Sequence, residues 1–256
     1  MTIHLRQICL VAEKLAPVID DLKAVFGLEA CYIDSGVAAF GLENTLLPVG
    51  TNFLEVVAPV QENTAGGRYL TRRGGDGGYM VITQVDKPEV RQACKRRAAE
   101  NDVRVVLERE GETSHLMQLH PRDMIASFFE IDWDQDADFA GNWEPAGGTG
   151  WRDAVRTDVV SDYRAVELQG PDPEELAVLW SKIADIEFSL RGDALVMPLS
   201  NVDLRFVEAK DWRGAGLGGI DLAVANRDHV LAQAKKRDCY VSDDQVMVCG
   251  TRFNLV

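Results

Sequence analysis

The sequence lacks the features that mark membrane, secreted and nucleic-acid-binding proteins. No apolar run approaches the roughly 20 residues that span a bilayer, and the first residues, MTIHLRQICLVAEK, lack the charged, apolar and small-residue order of a signal peptide. The chain contains only 27 Lys and Arg residues but 41 Asp and Glu residues, which gives a formal net charge of -14. Such a balance argues against the basic surface that binds a phosphate backbone. We therefore expect a cytoplasmic protein with no membrane and no nucleic-acid partner.

Several catalytic and stabilising motifs are also missing. The five cysteines are odd in number and scattered, at positions Cys9, Cys31, Cys94, Cys239 and Cys249. Because no C-x-x-C pair occurs, we interpret them as reduced packing residues and not as disulfide or zinc partners. The chain has no G-x-S-x-G nucleophile motif and no phosphate-loop pattern. Hydrolase chemistry of the nucleophile-elbow type is therefore not expected.

What the sequence does contain is a pattern of strand, helix and further strands that is repeated. The first copy has a strand at 5–11, a helix with apolar residues at helical spacing that ends at Gly27, and strands at 37–40, 45–48 and 52–57. A second copy has a strand at 79–85, a helix at 88–100 and strands at 103–107, 115–119 and 124–133. The third copy has a strand at 163–168, a helix that starts in the PDPEE stretch, and strands at 195–198 and 202–207. The fourth has a strand at 219–224, a helix around 229–236, and strands at 246–248 and 252–256.

The repeats predict an α+β fold of four βαβββ units. We expect them to form two paired-unit domains with curved, mixed, barrel-like sheets, at residues 1–133 and 159–256. The segment 134–158, rich in Asp, Gly, Pro and Trp, is predicted to be a linker. Paired units of this kind enclose a concavity, which is the expected location of a small-molecule site.

Parts of the chain resemble a known family. The stretches LRQICLVAEKLAPVIDDLKAVFGLEACY and FGLENTLLPVGTNFLEVVAP resemble the opening and closing elements of the vicinal oxygen chelate superfamily, in particular its glyoxalase-like branch. The stretch LHPRDMIASFFEIDW is similar to the final hairpin of the second unit in methylmalonyl-CoA epimerases. The superfamily also includes bleomycin-resistance proteins and extradiol dioxygenases, and its members often dimerise, so a homodimer is the expected assembly.

The resemblance implies a set of ligand positions on the first and last strand of each unit. In the first unit these positions fall on Gln7 and Glu55, and in the second on Met80, with Tyr79 beside it, and Glu130. Met80 stands where the family has a histidine. The resemblance thus implies one divalent ion, of Mn, Mg, Fe, Ni or Zn, held by Gln7, Glu55 and Glu130, and a pocket without metal remains an equal alternative.

Strand alternation groups the same residues independently. Gln7 shares a face with Cys9, Glu55 with Phe53, and Glu130 with Phe128, so each otherwise apolar face holds a single polar group. A buried carboxylate costs several kcal/mol unless it is paired or metal-bound. The sequence leaves open a cation, a shared proton, or an arginine partner such as Arg68 or Arg122.

Other side chains are weaker candidates for substrate contacts. Asn44 and Tyr79 can hydrogen-bond a ligand, and His120 lies in the LHPRD turn. Arg68 lies in a glycine-rich segment that is either a flexible lid over an anionic substrate or a plain connecting loop. In the second pair of units the equivalent positions are Ala165, Arg205, Gly219 and Asn254. These residues do not form a set of ligands for a divalent ion.

These residues favour an enzyme that abstracts a proton next to a carbonyl in a small oxygenated molecule. Glu55 or Glu130 would be the general base, and Gln7 or a metal would polarise the oxygen, as in lyases and isomerases. One alternative is a metal-free protein that only binds a small molecule, as bleomycin-resistance proteins do. A ring-cleaving dioxygenase is less favoured, because the two histidines that hold its iron are missing.

Overall fold

The computed structural model describes residues 2–256 and contains fifteen strands and five α-helices in that range. The strands are β1 Ile3–Val11, β2 Leu42–Val49, β3 Asn52–Pro59, β4 Gly77–Val85, β5 Val105–Glu110, β6 Ser114–Leu119, β7 Phe128–Asp134, β8 Val160–Gly170, β9 Ser189–Arg191, β10 Ala194–Pro198, β11 Asp203–Glu208, β12 Gly216–Val224, β13 Tyr240–Ser242, β14 Gln245–Val248 and β15 Thr251–Leu255. The helices are α1 Leu15–Phe26, α2 Ala65–Arg73, α3 Pro88–Glu100, α4 Pro173–Ala184 and α5 Arg227–Lys236. The predicted α+β class is confirmed.

The four repeats share one strand arrangement. In the second, third and fourth repeats the last strand pairs in parallel with the first, as β7 with β4, β11 with β8 and β15 with β12. In the first repeat β3 lies beside β1. The earlier strands of each repeat then add in antiparallel fashion, as β6 does on β7. The last strand is therefore central within its repeat, and at least alternate side chains along most of its length are buried.

Helix α1 ends and helix α4 begins where the sequence predicts, because their caps are encoded locally. Helix α1 buries Val18, Leu22 and Val25 and ends at Gly27, whose φ of 66° is the left-handed conformation that glycine favours. Helix α4 begins after Asp172, whose carboxylate accepts hydrogen bonds from the backbone N–H groups of Glu174 and Glu175. Within residues 2–256 no helix is long and apolar enough to cross a membrane.

The chain forms two compact units, each built from repeats that are distant in sequence. The first unit comprises residues 2–7, 79–139 and 165–217, so it combines most of the second and third repeats. The second unit comprises residues 8–78, 140–164 and 218–256, so it combines most of the first and fourth repeats. Helix α3 packs on α4 in the first unit, and α1 packs on α5 in the second. The division into domains at residues 1–133 and 159–256 stays a prediction.

The strand predicted at 37–40 is wrong. Residues Ser35–Phe40 form a 3₁₀ helix, which begins where the Asp34 carboxylate accepts a hydrogen bond from the Gly36 N–H at 2.7 Å. The helix ends at Gly41, with φ of 70°. A side-chain cap and a left-handed glycine together outweigh the strand tendency of the apolar residues between them.

The segment around Arg68 is a helix, so both predicted forms, a flexible lid and a plain loop, are corrected. Helix α2 begins after Thr64, whose hydroxyl accepts from the Gly67 N–H at 2.9 Å, and ends at Gly74 with φ of 70°. Tyr69 and Leu70 are buried. Capping and burial thus compensate for the low helix propensity of the glycines.

The predicted linker is an ordered part of the second unit over residues 140–158. It contains two 3₁₀ helices, Glu144–Ala146 and Gly150–Ala154, and the side chains of Trp143 and Trp151 are each 2% exposed. Gly147, with φ of 72°, lies against Tyr32, where an added Cβ would come within 2.4 Å of the ring. The segment lacks periodicity because it is held in the unit by single buried tryptophan side chains and not by the apolar face of a regular helix or strand.

The third and fourth repeats each contain a strand that the sequence did not predict. Strands β9 and β13 are three residues long and all their residues are exposed, so neither has the alternation of a half-buried strand.

The last strand of the second repeat also begins later than predicted, at Phe128. Met124 and Ile125 belong to the preceding turn, where Ile125 has a φ of 69°.

Candidate functional site

In the second unit, Glu55 is a buried carboxylate held by a neighbouring amide. Glu55 lies on β3 and is 7% exposed, and Asn44 on β2 donates from Nδ2 to its Oε1 at 2.6 Å. Asn44 pairs with Val57 across the two strands, so it shares the face of β3 that carries Phe53, Glu55 and Val57. The sequence assigned Glu55 to this face, together with Phe53 and Val57, but it did not place Asn44 there.

The orientation of Asn44 is itself fixed. Its Oδ1 accepts a hydrogen bond from the backbone N–H of Asp34 at 2.9 Å, which leaves Nδ2 directed at Glu55. A carboxamide donor orients the carboxylate through a hydrogen bond. Asn44 thus orients Glu55, and its predicted hydrogen bond to a ligand stays a prediction.

Trp151 contacts the same face of β3. Its ring meets that of Phe53 edge-on, with centroids 5.2 Å apart and planes at 82°, and the Arg152 guanidinium lies 5.6 Å from its centre. The indole N–H is buried and has no hydrogen-bond partner. Sequence reasoning missed this residue, although a tryptophan in a segment rich in Gly and Pro was a signal that the segment packs on something.

In the first unit, Glu130 has a similar arrangement on β7. It is 3% exposed, and Gln118 on β6, directly opposite in the register, donates from Nε2 to its Oε2 at 2.6 Å. Two repeats therefore place a glutamate on their last strand and hold it with a carboxamide from the adjacent strand. The arginine partner that the sequence left open for these carboxylates, Arg68 or Arg122, stays a prediction.

The face of β7 is more polar than predicted. Besides Glu130 it carries Asp132 and Asp134, so the expected single polar group is wrong. Burial, followed by the charge and hydrogen bond of Glu130, raises the pKa of Asp132 well above its ordinary value. The Oδ1 of Asp132 and the Oε1 of its register partner Gln84 are both buried without hydrogen-bond partners.

Asp134 is chiefly a structural residue. Its Oδ1 accepts from the backbone N–H groups of Asp136 and Ala137, and its Oδ2 accepts from Gln84 at 2.8 Å. Burial raises the pKa of Asp134 and lowers that of the nearby Arg6 to about 10. Arg6 also donates to the carbonyl of Phe139. The group ties the end of β7 to β1.

The remaining predicted residues divide between the units. Gln7, Tyr79 and Met80 lie in the first unit and are 2%, 6% and 8% exposed, and the Tyr79 ring packs edge-on against Phe128 at 5.0 Å. Glu130 and His120 belong to the same unit. The second unit holds Asn44, Glu55 and Arg68.

His120 and Arg68 take part in local structure. Nδ1 of His120 accepts from the backbone N–H of Arg122 at 3.1 Å, next to an ion pair in which Arg104 lowers the pKa of Asp123 to about 2. Arg68 is exposed and donates to the carbonyl of Asn63 at 2.5 Å, at the start of its own helix. Their predicted contacts with substrate stay predictions.

The third and fourth repeats also carry polar pairs on their last strands. Arg205 on β11 donates to Glu167 on β8 at 2.6 Å. Asn254 on β15 donates to Asp221 at 2.7 Å and accepts from Gln245 at 2.8 Å. All four repeats thus place a polar side chain on the last strand and pair it with a side chain from an adjacent strand, and only the first two repeats use a glutamate there.

The residues were also tested for their fit to a metal ion. Among residues 2–256, no three His, Cys, Asp or Glu side chains lie together in a way that could hold one. The set predicted from the resemblance includes an amide and spans both units, since Gln7 and Glu130 lie in the first and Glu55 in the second. That set stays a prediction, and no step below depends on a metal.

Comparison with known proteins shows the fold. No family model and no curated protein matches the chain. A hypothetical protein from Staphylococcus aureus is similar over 100% of this chain and 99% of its own, with a TM-score of 0.65 and 14% identity. The two proteins therefore share one fold, an α+β arrangement of four βαβββ repeats.

Methylmalonyl-CoA epimerases are similar to about half of the chain. The enzyme from Streptomyces coelicolor, in complex with 2-nitronate-propionyl-CoA, matches 52% of this chain and 97% of its own, at 20% identity and a TM-score of 0.44. The enzyme from Mycobacterium tuberculosis matches 51% and 87%, at 21% identity and a TM-score of 0.43. Such partial likenesses say nothing about the activity of this chain.

Proposed function

We propose that the protein is a member of the vicinal oxygen chelate superfamily, of the glyoxalase-like branch, that moves a proton in a small oxygenated molecule. Glu55 and Glu130 are the general acid–base residues of this proposal. The observation that carries it is the 2.6 Å hydrogen bond by which Asn44 orients the buried Glu55 carboxylate, repeated by Gln118 at Glu130. An oriented carboxylate in a poorly solvated place is a competent base for a C–H proton next to a carbonyl.

The chemistry is an isomerase or lyase step. The carboxylate takes the α-proton, and the electron pair of the C–H bond moves into an enolate. After the abstracted proton has exchanged with solvent, a proton is delivered to the other face of the enolate or to a neighbouring atom, or a leaving group departs. The substrate is a small molecule with a carbonyl next to an acidic C–H bond. The cytoplasmic location and the homodimer expected from the sequence stay predictions.

Hydrogen–deuterium exchange tests this function without knowledge of the full reaction. The protein is incubated in D2O with acyl thioesters, 2-oxo acids and hydroxyketones, and loss of the α-proton is followed by NMR. We expect exchange with at least one class, and a loss of about 10²-fold or more in Glu55→Gln or Glu130→Gln, the usual contribution of a general base. Glu43→Gln, at an exposed position of β2, is the matched control.

Each outcome of the exchange experiment leads to a different conclusion about the two glutamates. Exchange that is undiminished in both buried variants contradicts the proposed bases. Loss in one variant only assigns the chemistry to that repeat. If the wild-type protein exchanges no member of the panel, the isomerase or lyase function is wrong.

A second candidate function is the binding of an organic cation without chemistry. A cleft of about 470 Å³ in the first unit is lined in part by the apolar residues Ile125, Val178 and Leu179. Its polar lining is mainly acidic and consists of Asp123, Asp172, Glu174 and Glu175 together with Asn101 and Lys182. Because negative rims concentrate cations, calorimetric titration with aliphatic and aromatic amines should detect binding that Glu174→Gln/Glu175→Gln weakens.

A further inference from the structure

We propose that the indole N–H of Trp151 is the hydrogen-bond donor for the carbonyl oxygen of the substrate at the Glu55 site. The inference rests on the proposed role of Glu55 and adds what the site requires of its ligand. The substrate must present an oxygen acceptor to Trp151 and the adjacent C–H bond to Glu55.

The first observation is the burial of a donor without an acceptor. Trp151 is 2% exposed, and its Nε1 atom is buried with no hydrogen-bond partner. Buried tryptophans usually satisfy this group, because an unsatisfied buried donor costs about 1–3 kcal/mol. Such a cost at a buried side chain is explained if a ligand supplies the acceptor.

The second observation is the position of the ring. Trp151 packs edge-on against Phe53 at 5.2 Å, and Phe53 and Glu55 point to the same face of β3 because they are two residues apart. Two residues of a strand span about 7 Å. The 3₁₀ helix that carries Trp151 also packs on β2, the strand of Asn44. The indole and the carboxylate thus share one face of the hairpin.

The third observation is the rigidity and charge of the surroundings. Arg152 lies over the indole ring at 5.6 Å and donates to the carbonyl of Ala140 at 3.1 Å, so the ring is contacted by Phe53 and by a cation. A nearby guanidinium favours negative charge on an oxygen bound at the N–H. The indole N–H only donates, so it selects an acceptor such as a carbonyl or enolate oxygen and not an ammonium group.

These parts make a balanced proton transfer. Glu55 accepts the α-proton, the C–H electron pair forms the carbon–carbon double bond of the enolate, and the carbonyl electrons move to the oxygen that Trp151 binds. Return of the proton from Glu55 to carbon restores the carbonyl. No oxidant or reductant takes part.

Binding of acetohydroxamate, a neutral mimic of an enediol with a carbonyl acceptor, tests the contact without turnover. With ¹⁵N-labelled tryptophan, we expect the Trp151 indole resonance, assigned through Trp151→Phe, to move downfield and saturate. Trp151→Phe keeps an aromatic ring against Phe53 but removes the donor, and should weaken binding about tenfold, the equivalent of 1.4 kcal/mol. Trp143→Phe, which removes another buried indole from the same segment, is the matched control and should bind normally.

The outcomes distinguish this proposal from the function on which it rests. A Trp151 resonance that does not move at the highest soluble concentration of acetohydroxamate overturns it, as does unchanged affinity in a folded Trp151→Phe protein. If the resonance moves but Glu55→Gln still exchanges α-protons at the wild-type rate, the donor contact stands and the role of Glu55 fails. Thermal melting of each variant confirms that it is folded.

Discussion

Asp132 shows how one buried side chain makes stability depend on pH. Its pKa is raised above the ordinary value, first by burial and then by Glu130. The folded state therefore binds this proton more tightly than the unfolded state. Its contribution to stability is complete below the unfolded pKa of about 4 and is lost as the pH rises through the folded pKa.

We therefore expect the free energy of unfolding to fall as the pH rises above about 4, and Asp132→Asn to flatten this dependence. At neutral pH the variant should be more stable than the wild type, because an amide neither carries a buried charge nor has to take up a proton on folding. Urea unfolding across the pH range measures both effects. Asp193→Asn, at an exposed turn, is the control, and an Asp132→Asn profile parallel to the wild type would contradict the assignment.

Cys31 is expected to be a slow nucleophile although it is only half-buried. Desolvation raises the pKa of its thiol to about 11, and its Sγ donates to the carbonyl of Leu46 at 3.3 Å. At pH 8 about one thiol in a thousand is then ionised, and only the thiolate reacts. Mass spectrometry after iodoacetamide should show Cys31 unmodified in the folded protein and labelled in urea. Equal labelling rates in both states would refute this.

At the scale of elements, the packing of residues 140–158 on the second unit depends on Gly147. Its φ of 72° is unfavourable for other residues, and an added Cβ would lie 2.4 Å from the Tyr32 ring. Gly147→Ala should cost about 1–3 kcal/mol and change the fluorescence of the segment's tryptophans. Gly192→Ala is the matched control, because its φ is 63° but no atom lies within 4 Å of the added Cβ.

The two glycine variants separate backbone strain from contact. Both carry the cost of a left-handed alanine, so the difference in their unfolding free energies reports the clash with Tyr32. Equal losses, with unchanged fluorescence, would mean that the segment does not need this contact to stay in place.

Elements with regular periodicity could be predicted from the sequence, and elements defined by local capping or single anchors could not. Helices α1, α3, α4 and α5 were anticipated from apolar spacing and from Gly27, Pro88 and the Asp172 segment. Helix α2 was missed because its glycines hid the Thr64 cap. Strands β9 and β13 have no buried face and so no alternation. The ordered segment 140–158 was missed because Trp143 and Trp151 act singly.

The residues of the candidate site divide in the same way, into those with a local sequence pattern and those placed by contacts between distant segments. Glu55 and Glu130 were proposed from the sequence because the resemblance and the strand alternation both point to them, and their roles stay predictions. The amides that hold them, Asn44 and Gln118, come from neighbouring strands, whose register the sequence did not specify closely enough to pair them. Asp132 was overlooked, although its spacing from Glu130 places it on the same face. Trp151 depends on a tertiary contact that has no local pattern.

At the scale of the whole molecule, Trp180 ties together repeats from different halves of the chain. It lies fully buried on α4 of the third repeat, stacks on Phe129 of the second repeat at 4.7 Å, and donates its N–H to the carbonyl of Met124 at 3.0 Å. Trp180→Ala should cost about 3–5 kcal/mol, as large-to-small changes in cores do. Trp212→Ala, at a site 80% exposed, should change stability by less than about 0.5 kcal/mol.

Which strands Trp180→Ala destabilises is more informative than the total loss of unfolding free energy. Because the second and third repeats form one compact unit, Trp180→Ala should speed amide hydrogen exchange in β6 and β7 as well as in β10 and β11. Exchange that increases only within residues 159–256 would instead support the division at 134–158 that the sequence predicts. The variant therefore decides whether a repeat is stabilised by its neighbour along the sequence or by the repeat with which it forms a compact unit.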